Sequence, residues 1–147
     1  MGLRRKGRVI AVQTLYSLEY LEDGKELDEA ELESGLADIT GYKDIGKGSK
    51  VFEFALEIIL NLSANRKKID ETIIKHSKNW SFDRIAKLDL CILRIAVYEL
   101  GFTTTAPAIV MNEAIEISKK YCSESSGKFI NGILNAISNE IKENEVS

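Results

Sequence analysis

Apolar residues recur at helical spacing along most of this chain. Ala11, Val12, Leu15 and Leu18 share one face of a first helix predicted over 5 to 20. Residues 22 to 49 carry a weaker pattern. They are acidic, contain Gly24, Gly35, Gly41, Gly46 and Gly48, and predict a short helix around 27 to 39 followed by a mobile connection. Ser49 is a good N-cap for a stronger helix, whose broad apolar face comprises Phe52, Ala55, Leu56, Ile59, Leu60 and Leu62. The pattern continues through Ile69, Ile73 and Ile74. Ser63 and Asn65 permit a break, so 49 to 76 reads as one bent helix or two.

Ser81 reads as the N-cap of a helix over 85 to 100 that is apolar nearly all round. Such a helix is central, covered by neighbours on several sides. Gly101 predicts its stop, Thr103 to Thr105 an extended connection, and Pro107 the start of the next helix. Val110, Ala114, Ile117 and Tyr121 form one face there. A last helix follows Ser125 or Ser126, with Ile130, Ile133, Leu134, Ile137 and Ile141 in register. The fold class is therefore all-α, with about six or seven helices and no strand. Asn131-Gly132 signals a hairpin in other company, but here it interrupts a helical pattern. The predicted compensation for Gly132 is a close helix–helix crossing.

Composition narrows the class. The 147 residues can bury a core without staples, and 44% hydrophobic with 29% charged residues marks a globular chain, not a disordered one. Cys91 lies in an apolar run and Cys122 stands apart from it, so neither zinc nor dithiol chemistry is supported. Two lone thiols suit a reducing cytoplasm. The basic start gives way to Gln13 and Thr14 too soon for a signal peptide, and no stretch reaches the length of a membrane span.

Charge changes the picture more. The net charge is −3, yet Arg4, Arg5, Lys6 and Arg8 crowd the first helical turns, leaving 16 cationic against 23 acidic residues elsewhere. A basic tip on an acidic body orients a polyanion toward one end. Lysine and arginine there neutralise phosphates, and a partly flexible terminus follows a curved strand. Gln13 and Tyr16 lie on the side of the helix that carries Arg5 and Val9. An amide reads a base edge and a phenol ring stacks on an unpaired base. The bland alternative is a solvated terminus beside a half-buried tyrosine.

Near the other end, the turn from Ser123 to Phe129 offers backbone N–H groups and Lys128 to a phosphate. Phe129 either stacks on a base or, as the pattern reads it, is the first core residue of its helix. In the central helix Asp89, Arg94 and Glu99 point in different directions, so each needs its own partner. For Arg94 this predicts an ion pair, for example with Glu113 or Glu116. Asp89 reads equally as a buried pair or as part of a protein interface. His76, the single histidine, reads as a surface residue, and no convergent carboxylates, metal-ligand spacing or glycine-rich phosphate loop supports an enzyme or a cofactor.

Three segments taken together resemble the NusB family of transcription antitermination factors. They are the run from Arg4 to Ser17, the run from Leu93 to Leu100, and the stretch from Ile109 through Tyr121 and on from Lys128 to Leu134. The resemblance covers nearly the whole chain and is weakest over 22 to 49. It implies two small helical bundles, N-terminal to about 78 and C-terminal from about 79. It also implies binding of single-stranded, boxA-like RNA together with NusE, a small-subunit ribosomal protein, within the RNA polymerase antitermination complex on ribosomal RNA operons. Carried onto this chain, the RNA contacts are Arg4, Arg5, Arg8, Gln13, Tyr16, Lys128 and Phe129, with Lys6 joining them from the basic run. The partner contact is Asp89. The family pattern has Ala-Arg-Glu where this chain has Gly7-Arg8-Val9, so the first helical turn is loosened and an acidic group is missing. Two rivals are an accessory module like those fused to rRNA cytosine methyltransferases and a helical interaction protein without RNA. A homodimer that hides the RNA surface is also compatible with the sequence.

Overall fold

A computed structural model describes residues 2–21, 26–77 and 81–146, with side chains for all of these except 19–21 and 145–146. Gly24, one of the glycines of the weak region, lies outside the described residues. The described residues form seven α-helices and one short 3₁₀ turn, with no strand among them. The chain divides into two compact units, Met1–Ala64 and Asn65–Ser147.

The first unit holds α1 (Leu3–Leu21), α2 (Glu29–Tyr42) and α3 (Lys50–Ala64), each packed on the other two. Helix α1 starts before Arg5, because the Lys6 N–H already bonds the Gly2 carbonyl at 3.0 Å. The basic run is therefore helical and not a flexible lead. Val9, Ile10, Ala11 and Val12 are buried on the inner side, where the Thr14 hydroxyl satisfies itself on the Ile10 carbonyl at 2.8 Å. Asp28 opens α2 with a capping box: its carboxylate accepts from the Glu31 N–H at 2.8 Å, and Glu31 accepts from the Asp28 N–H at 3.3 Å. Helix α2 reaches α1 closely at Gly35, where an added Cβ would meet Leu18 Cδ2 at 3.0 Å. Gly48 turns the chain into α3 with a φ of +83°, a conformation that only glycine adopts without strain. Ser49 then caps α3 by accepting from the Phe52 N–H at 3.2 Å.

The second unit holds α4 (Arg66–His76), a 3₁₀ turn (Phe82–Arg84), α5 (Lys87–Phe102), α6 (Pro107–Tyr121) and α7 (Glu124–Val146). The stretch 49 to 76 is thus two helices broken at Asn65. Helix α4 packs on α5 and α7, which moves the boundary between the units from about 78 to the Ala64–Asn65 link. Ser81 leads into the 3₁₀ turn, and α5 starts later, after Ala86. Gly101 lies within α5. The helix stops at Thr103, whose backbone is extended and whose hydroxyl bonds the Glu99 carbonyl at 2.7 Å. Pro107 opens α6 as the sequence predicts.

Helix α5 is central: α4, α6 and α7 all pack on it, and every residue from Asp89 to Leu100 is buried. Burying Arg94 demands a partner. Asp70 of α4, a residue the sequence reading did not name, supplies it in a two-pronged pair, from Nε to Oδ1 at 2.8 Å and from Nη2 to Oδ2 at 3.1 Å. The Phe82 ring lies 5.7 Å from the same guanidinium.

His76 is not a surface residue. Its side chain is only 11% exposed and joins α4 to α7, with Nδ1 at 2.8 Å from the Thr72 carbonyl and Nε2 at 2.5 Å from Glu140. Lys75 holds the other Glu140 oxygen at 2.6 Å, and that hydrogen bond, with the charges of Lys75 and His76, keeps the Glu140 carboxyl below its ordinary range.

Two expectations about α7 also change. It begins at Glu124, ahead of Ser125, because Ser123 caps it by accepting from the Ser126 N–H at 3.1 Å. The close helical approach lies at Gly127, where an added Cβ would sit 3.3 Å from the buried Ser118 hydroxyl of α6. Gly132 is exposed, with nothing within 4 Å of an added Cβ. Gly132→Ala is therefore expected to stabilise the protein by roughly 0.5–1 kcal/mol in urea unfolding. Gly127→Ala should gain less or lose, and equal gains at both positions would remove the crossing at Gly127.

Candidate functional site

The basic start of α1 is not one face. With about 100° of rotation per residue, Arg5, Tyr16 and Gln13 fall within one broad sector, Lys6 adjoins it on the Gln13 side, and Arg4 and Arg8 lie on the other side of Arg5. Arg4 and Lys6 are exposed, Arg5 and Gln13 are half-buried, and Tyr16 is exposed. Arg8 differs from all of these, being only 4% exposed. Both Arg4 and Arg8 rest on one aromatic ring, Phe54 of α3, at 5.7 and 5.5 Å from its centroid. The ring reaches α1 at Gly7, where an added Cβ would lie 2.6 Å from Phe54 Cδ2. Gly7 therefore does not loosen the turn. It is buried within a continuous helix and leaves room for the ring. Val9, the other departure from the family pattern, is a core residue.

Gln13 presents an unusual group. Its Oε1 is buried and has no hydrogen-bond partner, the only such side-chain atom among the described residues. An orphaned acceptor is costly. Tyr16, 40% exposed, offers a ring face three residues further along.

In the second unit, Lys128 is exposed and Phe129 half-buried, both in the second turn of α7. Lys119, Cys122, Ser123, Gly127 and Lys128 line one shallow cleft between α6 and α7. Asp89 sits in the first turn of α5, where a carboxylate is favoured by the helix dipole. Sequence reasoning left its role open between a buried pair and an interface. Asp89 is only 7% exposed, and the Cys122 thiol is its partner inside the second unit. Burial pushes the Cys122 thiol up to about 12, and the hydrogen bond to Asp89 and that group's charge push in the same direction.

Sequence reasoning missed Phe54 and Asp70, and read Cys122 only as a lone thiol without its contact to Asp89. Phe54 left one trace, an aromatic at the edge of the apolar face of α3, while Gly7 stands between two arginines four residues apart. Asp70 and Cys122 left none, since both matter through contacts with distant residues. Among the described residues no group of histidine, cysteine and carboxylate side chains is placed to hold a metal, and no helix is long and apolar enough to cross a membrane.

A fold of seven helices in two units, with cations at the start of α1 and a lysine-bearing second turn in α7, defines an all-helical protein with the chemistry to meet a polyanion. The NusB family model matches residues 5–139. The transcription antitermination protein NusB of Geobacter sp. (strain M21) is 38% identical, over 99% of this chain and all of its own length. That of Acetivibrio thermocellus is 37% identical, over 91% of this chain and 87% of its own. Among solved structures, T. maritima NusB superposes with a TM-score of 0.79 at 35% identity, covering 93% of this chain and 91% of that one. A chain from the complex of antitermination factors NusB and NusE with double-stranded RNA superposes at 0.80 and 28% identity, covering 95% and 98%. The chain belongs to the NusB family.

The thiol–carboxylate contact in the second unit has a direct readout. Alkylation at Cys122 by iodoacetamide at pH 8, followed by mass spectrometry, should be roughly a hundredfold or more slower in the native protein than in urea, because the thiolate is the reacting species. Asp89→Asn should speed the native reaction. Equal native rates in the two proteins would remove the contact.

Proposed function

We propose that this protein is a cytoplasmic, non-enzymatic transcription antitermination factor. It binds boxA-type single-stranded RNA together with NusE and joins the RNA polymerase antitermination complex on ribosomal RNA operons. The observation that carries the reading is the near-complete match of this chain to a NusB that is solved in complex with NusE and RNA. The basic start of α1 supports it, since cations concentrated at one end of an acidic chain supply affinity for phosphate without reading sequence.

In this reading Arg4, Arg5, Lys6 and Arg8 provide the phosphate-directed charge. Gln13 offers an amide donor to a base edge, Tyr16 and Phe129 offer ring faces, and Lys128 supplies a further cation. Arg8 acts from a buried position, so its contribution is to the local field more than to a contact made along a freely moving side chain. Asp89 belongs to the NusE surface through its place at the start of α5, with Cys122 fixing its orientation from within. No cofactor is required, because every step is binding.

Fluorescence titration of a boxA-like RNA, with and without NusE and across several salt concentrations, tests the reading. NusE should tighten binding, with a log–log salt slope of about −3, as for about four neutralised phosphates on a single strand. Arg5→Ala with Lys6→Ala should flatten that slope by about 1.4. Equal affinity for a scrambled RNA, with NusE still bound, would make the protein a helical interaction module without an RNA role.

A further inference from the structure

We infer that Phe54 is a positioning residue for RNA binding, holding Arg4 and Arg8 at the basic start of α1 through its ring; this rests on the RNA-binding reading above. Three observations converge on it. Both guanidinium groups lie within cation–π distance of the same ring, at 5.7 and 5.5 Å. The ring is lodged against α1 at Gly7, which directly precedes Arg8, where an added Cβ would meet Cδ2 at 2.6 Å. Finally, α1 and α3 pack on each other within the first unit, so the ring is carried by a helix whose own register is fixed by the Ser49 cap and by buried Val51, Phe52 and Ala55.

The chemistry of the ring suits a site that must meet phosphate. A carboxylate at this place would hold the arginines equally well, but its charge would cancel theirs in the field that a polyanion feels. An aromatic quadrupole attracts a cation without neutralising it. Long arginine side chains lose rotamer freedom on binding. A guanidinium already resting on a ring has lost part of that freedom beforehand, so less is lost when RNA arrives. Gly7 is then the complement of Phe54, because the glycine makes the space that the ring occupies.

The test pairs substitutions with two readouts. In NMR spectra of the free protein, the Nε–H signals of Arg4 and Arg8 should be shifted upfield by the ring, return toward ordinary values in Phe54→Leu, and stay shifted in Phe54→Trp. In the RNA titration, Phe54→Leu should weaken binding about threefold to fivefold, Phe54→Trp should retain it, and Gly7→Ala should weaken it only while Phe54 is present. Arg4→Ala should cost less in the Phe54→Leu background than in the parent protein. Additive losses, or unchanged affinity when the arginine signals move, would overturn the role of Phe54. Absence of RNA binding by the parent protein, with the ring shifts intact, would instead overturn the function and this role with it.

Discussion

Surrounding a helix on all sides obliges the fold to answer for every charge that the helix carries. Helix α5 is buried from Asp89 to Leu100, and three of those residues, Asp89, Arg94 and Glu99, have acidic or basic side chains. Arg94 is answered by both oxygens of Asp70, which fixes where α4 lies against α5. Asp89 is answered by the Cys122 thiol, at the end of α6. Arg94 and Asp89 therefore act as register pins for the neighbours of the central helix, since a shifted neighbour would strand a charge away from water. A third pin lies outside the core, where Glu140 of α7 meets both Lys75 and His76 of α4.

The first unit solves a different problem. Its helix α1 must bury Val9 to Val12 while keeping four cations close by in the preceding turns. Phe54 reconciles the two demands, because an aromatic ring packs as a hydrophobe and still receives a guanidinium on its face. This explains how Arg8 is almost fully buried in a run whose neighbours, Arg4 and Lys6, reach solvent.

What was legible in the sequence was local. The Ser49 cap and the Pro107 start are decided within one helical turn, and both stand where the pattern put them. The all-round apolar run of α5 also reads directly, because burial on every side leaves no polar stripe. Misreadings arose where neighbouring candidates compete within one turn, or where a distant residue decided the outcome. Ser123 outcompetes Ser125 and Ser126 as the cap of α7. Gly101 passed for a stop and Gly132 for a crossing, while the real contact falls on Gly127 opposite Ser118. His76 looked solvated because its partner, Glu140, is 64 positions away in the chain. At the candidate site the cations were legible as composition, but Phe54 lies on another helix, and only packing brings it to Arg4 and Arg8.

The burial of α5 also bears on how such a chain drifts over time. A residue whose every side is occupied tolerates exchange only for another of matching volume and polarity. Twelve successive positions of that kind, Asp89 to Leu100, form a stretch with almost no neutral neighbours in sequence space. Helix α2, which buries only Leu32, Leu36 and Thr40 among its fourteen residues, has a wide range of them. Single substitutions are thus absorbed most easily in the acidic helix of the first unit and least easily in the axis of the second.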